Sequence, residues 1–350
     1  MKKIIIIAAI IATLTTSIFA KAKKADKTTN TGKLKVVTTI FPEYDWTREI
    51  LGDKAGNVEL TLLIGNGVDL HSYQPSIKDI AKLSTADIFV YVGGESDAWV
   101  KDALKNAKNK KMKVINLMET LGDKVKAEEV KEGMQAEEEE DEHHHDGDHD
   151  HDEHHEAEEH HHHHDNDDEE EIEYDEHVWL SLRNAKLICS EITSALCEKD
   201  AANANSYKVN LAAYSAKLDA LDAKYAVTVK AGSKDTILFG DRFPFRYLVD
   251  DYNLDYYAAF VGCSAETEAS FETVIFLAKK VDELQLNSVL KIESGDGKIA
   301  RTIVQNTKKK NAKVLTMDSI QSTTAKQAAA GTTYLKIMEN NLKVLEEALK

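Results

Sequence analysis

Apolar and polar positions follow two periods along this chain, and they change over in a regular order. LKVVTTIFP reads as a buried strand ended by Pro42, and EYDWTREIL as the helix that follows it. VELTLLI then predicts a strand, SIKDIAKLSTA a helix with Ser76 as N-cap, and DIFVYVGG and KMKVINL two more strands. From Ser181 to Val229 the pattern is helical throughout. Within it Tyr207, Leu211, Tyr214, Leu218, Leu221 and Tyr225 recur every three or four residues, with no Pro or Gly before Gly232. That spacing predicts one helix of about 28 residues, ~42 Å long. The strand–helix rhythm resumes with DTILFGD, FRYLVDDY, LDYYAAF, a helix over 268–285, SVLKIES, a helix over 297–310, AKVLTMD and a closing amphipathic helix. The expected fold class is α/β: two domains, 34–195 and 233–350, each a parallel sheet flanked by helices, joined by one long rigid helix within 196–232.

Two segments fall outside this pattern. MKK followed by IIIIAAIIATLTTSIFA has the charged start, apolar middle and small-residue end of an export signal, expected to occupy residues 1–22. The first cysteine is Cys189, so no lipid-attachment cysteine follows the apolar run, and a free protein of the periplasm or extracytoplasmic space is expected. The second segment, 128–173, has almost no large apolar side chains and is expected to be a disordered insert in the first domain.

The net acidity of the chain belongs to that insert and the residues just after it. The chain carries a net charge of −17, yet residues 137–176 hold 23 Asp and Glu and no Lys or Arg, leaving the remainder net positive. The global acidity therefore carries no information about partners, and nucleic acid is not expected among them. The insert also holds twelve of the fourteen histidines: His143, His144, His145, His149, His151, His154, His155, His160, His161, His162, His163 and His164. Carboxylates alone keep a loop solvated, so the imidazoles point to auxiliary weak metal sites. Cys189, Cys197 and Cys263 are an odd number. Cys189 and Cys197 on one helix would lie about 12 Å apart, too far for a disulfide, and are expected to pack as small hydrophobes.

Ligands of open parallel sheets bind at the carboxyl ends of strands. His71 follows VELTLLIGNGVDL, His177 lies in YDEHVWL, Asp241 ends TILFGD and Glu293 ends SVLKIES, two from each half. Singly, each has a plain alternative: a hydrogen-bonded loop histidine, a helix N-cap at Asp241, a solvated carboxylate at Glu293. Together, imidazoles and carboxylates suit a divalent first-row metal, zinc or manganese. Cys263, in FVGCSAE, is the thiol nearest a strand end and is a further candidate outside this set. No HExxH or comparable pairing of a metal with a general base is present, so an enzyme is not expected.

With these motifs assembled, the chain resembles the zinc- and manganese-type substrate-binding proteins of ABC importers, the ZnuA/TroA-like family. The resemblance runs from Leu34 to the C-terminus and rests on TTIFPEYDWTREILGD, GVDLHSYQPSIKDIAKLSTADIFVYVGG, DEHVWLSLRNA, and FRYLVDDYNL with VGCSAETEAS. It implies two α/β domains joined by a long helix, a zinc ion captured as transported substrate between them, with manganese the alternative, and delivery by a monomer to a membrane ABC permease. An extracellular metal-buffering or adhesion protein is the other reading. The resemblance places metal ligands at His71, His177, the neighbourhood of Asp241, and Glu293, and it makes a His-rich acidic insert a zinc-type feature. The third ligand departs from the pattern. Aligning on Phe245, Tyr247 and Tyr252 puts Arg242 where the family has His or Glu, and a guanidinium has no lone pair to offer. A shift of one residue brings in Asp241, which completes the expected set.

Overall fold

The computed structural model describes residues 32–135, 173–264 and 268–350. The first half contains β1 (Leu34–Thr38), α1 (Phe41–Leu51), β2 (Val58–Leu62), α2 (Ile77–Ser84), β3 (Ile88–Tyr91), α3 (Trp99–Lys105), β4 (Lys113–Asn116) and α4 (Leu117–Leu121). Its four strands are parallel in the order β2-β1-β3-β4. Two helices follow, α5 (Leu182–Lys199) and α6 (Ala204–Ala231). The second half runs β5 (Thr236–Arg242), α7 (Arg246–Tyr252), β6 (Asp255–Phe260), α8 (Phe271–Glu283), β7 (Ser288–Ile292), α9 (Lys298–Asn306), β8 (Lys313–Met317), α10 (Ala325–Ala329) and α11 (Tyr334–Ala348). Its sheet is also parallel, in the order β6-β5-β7-β8. The two orders are the same permutation, so β2 and β6 are equivalent edge strands.

Local chemistry accounts for most boundaries. Pro42 does not end β1; it opens α1, where its missing N–H costs nothing, and the Thr39 and Ile40 amides donate to the Glu43 carboxylate. Ser76 caps α2 as expected, accepting from the Asp79 amide. The helical block that starts near Ser181 breaks at Asp200–Asn203, where the Tyr207 hydroxyl and the Asn203 side-chain amide both bond the Asp200 carboxylate, and the expected long joining helix begins beyond that turn. Beyond that turn α6 spans 28 residues and buries Tyr207, Tyr214, Leu218, Leu221 and Tyr225 along one stripe.

The halves share one apolar core, which passes from the first sheet through α1, α5 and α6 to α7 and α11. A second, smaller cluster lies under α8 and α9. Polar bonds tie the halves together: Tyr334 donates its hydroxyl to the Trp179 carbonyl at 2.7 Å, and the Trp179 indole donates to the Ser319 carbonyl at 2.8 Å.

Composition assigned 128–135 to the insert, but this stretch is fastened to the second half. Gln135 donates its amide to the Ala259 carbonyl, Lys131 pairs with Asp255, and Glu129 with Arg246. Gly133, at φ 83°, lies so close to the Phe276 ring that a Cβ would fall within 2.0 Å of it. Long-range partners supply the order that local sequence lacks. The export signal over 1–22 and the histidines His143–His164 lie outside the described residues.

Candidate metal centre

His71 sits in a single helical turn, Leu70–Ser72, in the connection after β2. Asp69 fixes that turn by accepting from the His71 amide at 3.1 Å. Across the cleft Arg242 pairs with the same Asp69 carboxylate and donates to the Ser264 carbonyl at 3.3 Å. Arg242 thus acts as a clamp on the turn that presents His71.

His177 is fully buried and precedes the turn Val178–Leu180. One oxygen of Asp175 accepts from both its amide, at 2.8 Å, and its Nδ1, at 3.0 Å. An Nδ1–H held by a carboxylate leaves the His177 Nε2 with a bare lone pair. His71 is arranged in the same way. Its Nδ1 lies 2.8 Å from the Ser96 hydroxyl and 3.6 Å from the buried Glu176 carboxylate, which accepts from the Ser96 amide. Burial, with His177 and Arg242 beside it, pushes the His71 imidazole down to about 2, so the ring stays neutral.

The two Nε2 atoms face each other at 3.1 Å. Tetrahedral zinc with Zn–N bonds of 2.0–2.1 Å would hold two nitrogens about 3.3 Å apart, so the pair stands close to the spacing a shared cation demands. A third donor joins them. Cys263, just past the edge strand β6, brings its sulfur into a cluster in which the His71, His177 and Cys263 ligand atoms all lie within 4.8 Å of one another. Glycine makes the approach possible, since a Cβ on Gly262 would sit 3.1 Å from the His177 ring. Glu128 holds the same turn from the other side, accepting from the Cys263 amide at 3.0 Å.

The remaining expected ligands are placed differently. Asp241 accepts from the Arg242 and Ile292 amides, at 3.0 and 3.2 Å, and packs against Gly295. Glu293 accepts from the Ser319 amide and hydroxyl and from the Ser322 hydroxyl, at 2.7, 3.0 and 2.8 Å. Among the described residues neither belongs to the three-donor cluster. The roles of Asp175, Ser96, Glu176, Glu128 and Arg242 were not foreseen; only Asp175 and Glu176, the two residues immediately before His177, stood close enough in sequence to be suspected. Cys189 and Cys197 are free and lie on α5, away from the cluster.

Residues 36–348 match the family described as "Zinc-uptake complex component A periplasmic". The chain belongs to this family. It is 33% identical over 347 residues to the "Zinc-binding lipoprotein AdcA" of Streptococcus pneumoniae, covering 99% of this chain and 61% of that protein. It is 30% identical to the "High-affinity zinc uptake system protein ZnuA" of Bacillus subtilis, covering 91% and 88%. The chain thus spans 56% to 61% of the length of the AdcA proteins it matches. Among solved structures, the Zn(II)-bound ZnuA-like domain of Streptococcus pneumoniae AdcA superposes with a TM-score of 0.65 at 27% identity, covering 91% of this chain and 99% of that one. The metal-dependent lipoprotein YcdH of Bacillus subtilis gives 0.67 at 26%, with coverage of 91% and 99%. Both share the two-sheet architecture of this family member. Among the described residues no helix is long and apolar enough to cross a membrane.

Proposed function

We propose that this family member is the extracytoplasmic component of a zinc-uptake system, which takes up zinc between its two α/β halves and passes it to a membrane ABC permease. The observation that carries the reading is the pair of Nε2 atoms facing each other at 3.1 Å, each ring held from behind through its Nδ1. Asp69, Glu128, Asp175 and Glu176 surround the pair with carboxylates, which suits a cation as cargo. The zinc-binding names of the AdcA and ZnuA relatives support zinc over manganese. The role is that of a carrier and not of an enzyme: the donors converge on an ion, and the groups behind them hold the imidazoles rather than a reacting substrate.

Calorimetric titration with zinc tests this. The wild type is expected to show one tight step, and His71→Ala or His177→Ala to lose it while the melting temperature without metal stays within a few degrees. An unchanged tight step in either variant would remove the cleft as the cargo site.

A further inference from the structure

The facing imidazoles offer a first and a second donor, but a two-nitrogen site holds zinc weakly, and the sequence puts an arginine where a third ligand is expected. Resting on the cargo-site reading above, we propose that Cys263 supplies a thiolate as the third protein donor, making the centre a two-imidazole, one-thiolate site selective for thiophilic divalent cations.

Four observations converge on this sulfur. Its ligand atom lies within 4.8 Å of those of both histidines, and Cys263 and His71 line the same cavity as Ser96, Glu128 and Glu176. The turn that carries it is built for close approach: Gly262 lies against the His177 ring, Glu128 holds the Cys263 amide, and Arg242 holds the Ser264 carbonyl. The competing carboxylates are already engaged, Asp241 by two backbone amides and Glu293 by one amide and two hydroxyls. Topology supplies the fourth. His71 follows β2 and Cys263 follows β6, the equivalent edge strands of two sheets with the same strand order.

The chemistry closes without an oxidant or a co-reactant. The S–H bond breaks, a zinc–sulfur bond forms with both electrons from sulfur, and one proton is released. The Glu128 carboxylate, which also hydrogen-bonds the Cys263 side chain, is placed to receive that proton on its way to solvent. Zinc–sulfur bonds are about 2.3 Å long, and the sulfur closes on the ion from a cluster whose ligand atoms already lie within 4.8 Å of one another. A thiolate donor strengthens binding of zinc, cadmium and cobalt far more than that of manganese, which prefers oxygen. The site would therefore discriminate between cations by donor softness.

Cobalt(II) reads the donor set directly. The full-length protein titrated with cobalt is expected to show a near-ultraviolet sulfur-to-metal charge-transfer band beside its visible ligand-field bands. In Cys263→Ser the first is lost and the second are kept, zinc affinity falls at least about tenfold with manganese affinity little changed, and one fewer proton is released per zinc in weakly buffered calorimetry. One cobalt bound by the wild type without the charge-transfer band overturns the thiolate and leaves the carrier reading standing; this needs no variant to fold. A Cys263→Ser protein that keeps the band overturns it as well. Tight binding that survives in His71→Ala and His177→Ala would fell the carrier reading, and the thiolate proposal with it.

Discussion

One oxygen of Asp175 organises His177 twice, through the backbone amide and through Nδ1. The first contact sets where the chain turns and the second sets which nitrogen is bare. Replacing the carboxylate by an amide keeps a similar shape but weakens the acceptor and removes its charge. Asp175→Asn is expected to lower zinc affinity by roughly 10- to 100-fold, as loss of a partner behind a metal-bound imidazole commonly does. Competition against a chelator of known affinity measures it, and an affinity within twofold of wild type would show that His177 is oriented by packing alone. At this scale the sequence was partly readable. His71 and His177 stood out as the only histidines outside the insert, whereas Cys263 stood outside the expected set as a further candidate, because a thiol near a strand end is usually a packed hydrophobe. Asp241 and Glu293 were attractive for their place at strand ends, yet that place also brings them within reach of backbone amides and serine hydroxyls, which engage their oxygens.

Among the elements, the strands and α6 were legible because apolar periodicity decides them locally. The stretch before the insert was not, since its order comes from partners more than a hundred residues away: Tyr256 and Arg246 on Glu129, Asp255 on Lys131, and Ala259 on Gln135. Sheet order was equally hidden, and with it the equivalence of β2 and β6 that brings His71 and Cys263 together. The strap formed by 126–135 offers a direct check on this long-range order. Gly133 combines a positive φ of 83° with contact against Phe276, so any side chain is strained and must displace the ring. Gly133→Val is expected to raise hydrogen exchange across 126–135 and, by loosening Glu128 from the Cys263 turn, to weaken zinc binding severalfold. The core strands should stay protected. Exchange in the strap identical to wild type would show that its anchoring does not depend on that contact.

Across the whole molecule, the halves are joined by a shared core and by a small polar junction between α1 and α11. Asp45 lies at its centre, paired with Arg48 and accepting from the Tyr334 amide at 2.7 Å, with the Trp46 and Tyr334 rings edge to face beside it. Burial is the main influence on this carboxyl and raises it from 3.8 to about 6. The native chain therefore keeps this proton over a range in which the unfolded chain has lost it. The contribution of Asp45 to stability is fullest below about pH 4 and declines as pH rises towards 6, by an amount on the order of 3 kcal/mol for two pH units. Asp45→Asn cannot ionise, so its melting temperature should follow pH between 4 and 6 with a slope shifted upward relative to wild type. Parallel profiles would mean that Asp45 titrates alike in the folded and unfolded chain.

Trp179 is wholly buried, its ring centre 5.2 Å from that of His177 and its indole nitrogen bonded to the Ser319 carbonyl. The chain has only three tryptophans. If His177 binds the cargo as proposed, the indole held rigidly against it is an optical sensor, because a cation arriving on that imidazole alters the field across the excited ring. Zinc should change the intrinsic emission of the protein in proportion to occupancy, and Trp179→Phe should abolish most of that change. The molecule would thus report its own loading in light, with no dye attached and no need to separate bound from free metal.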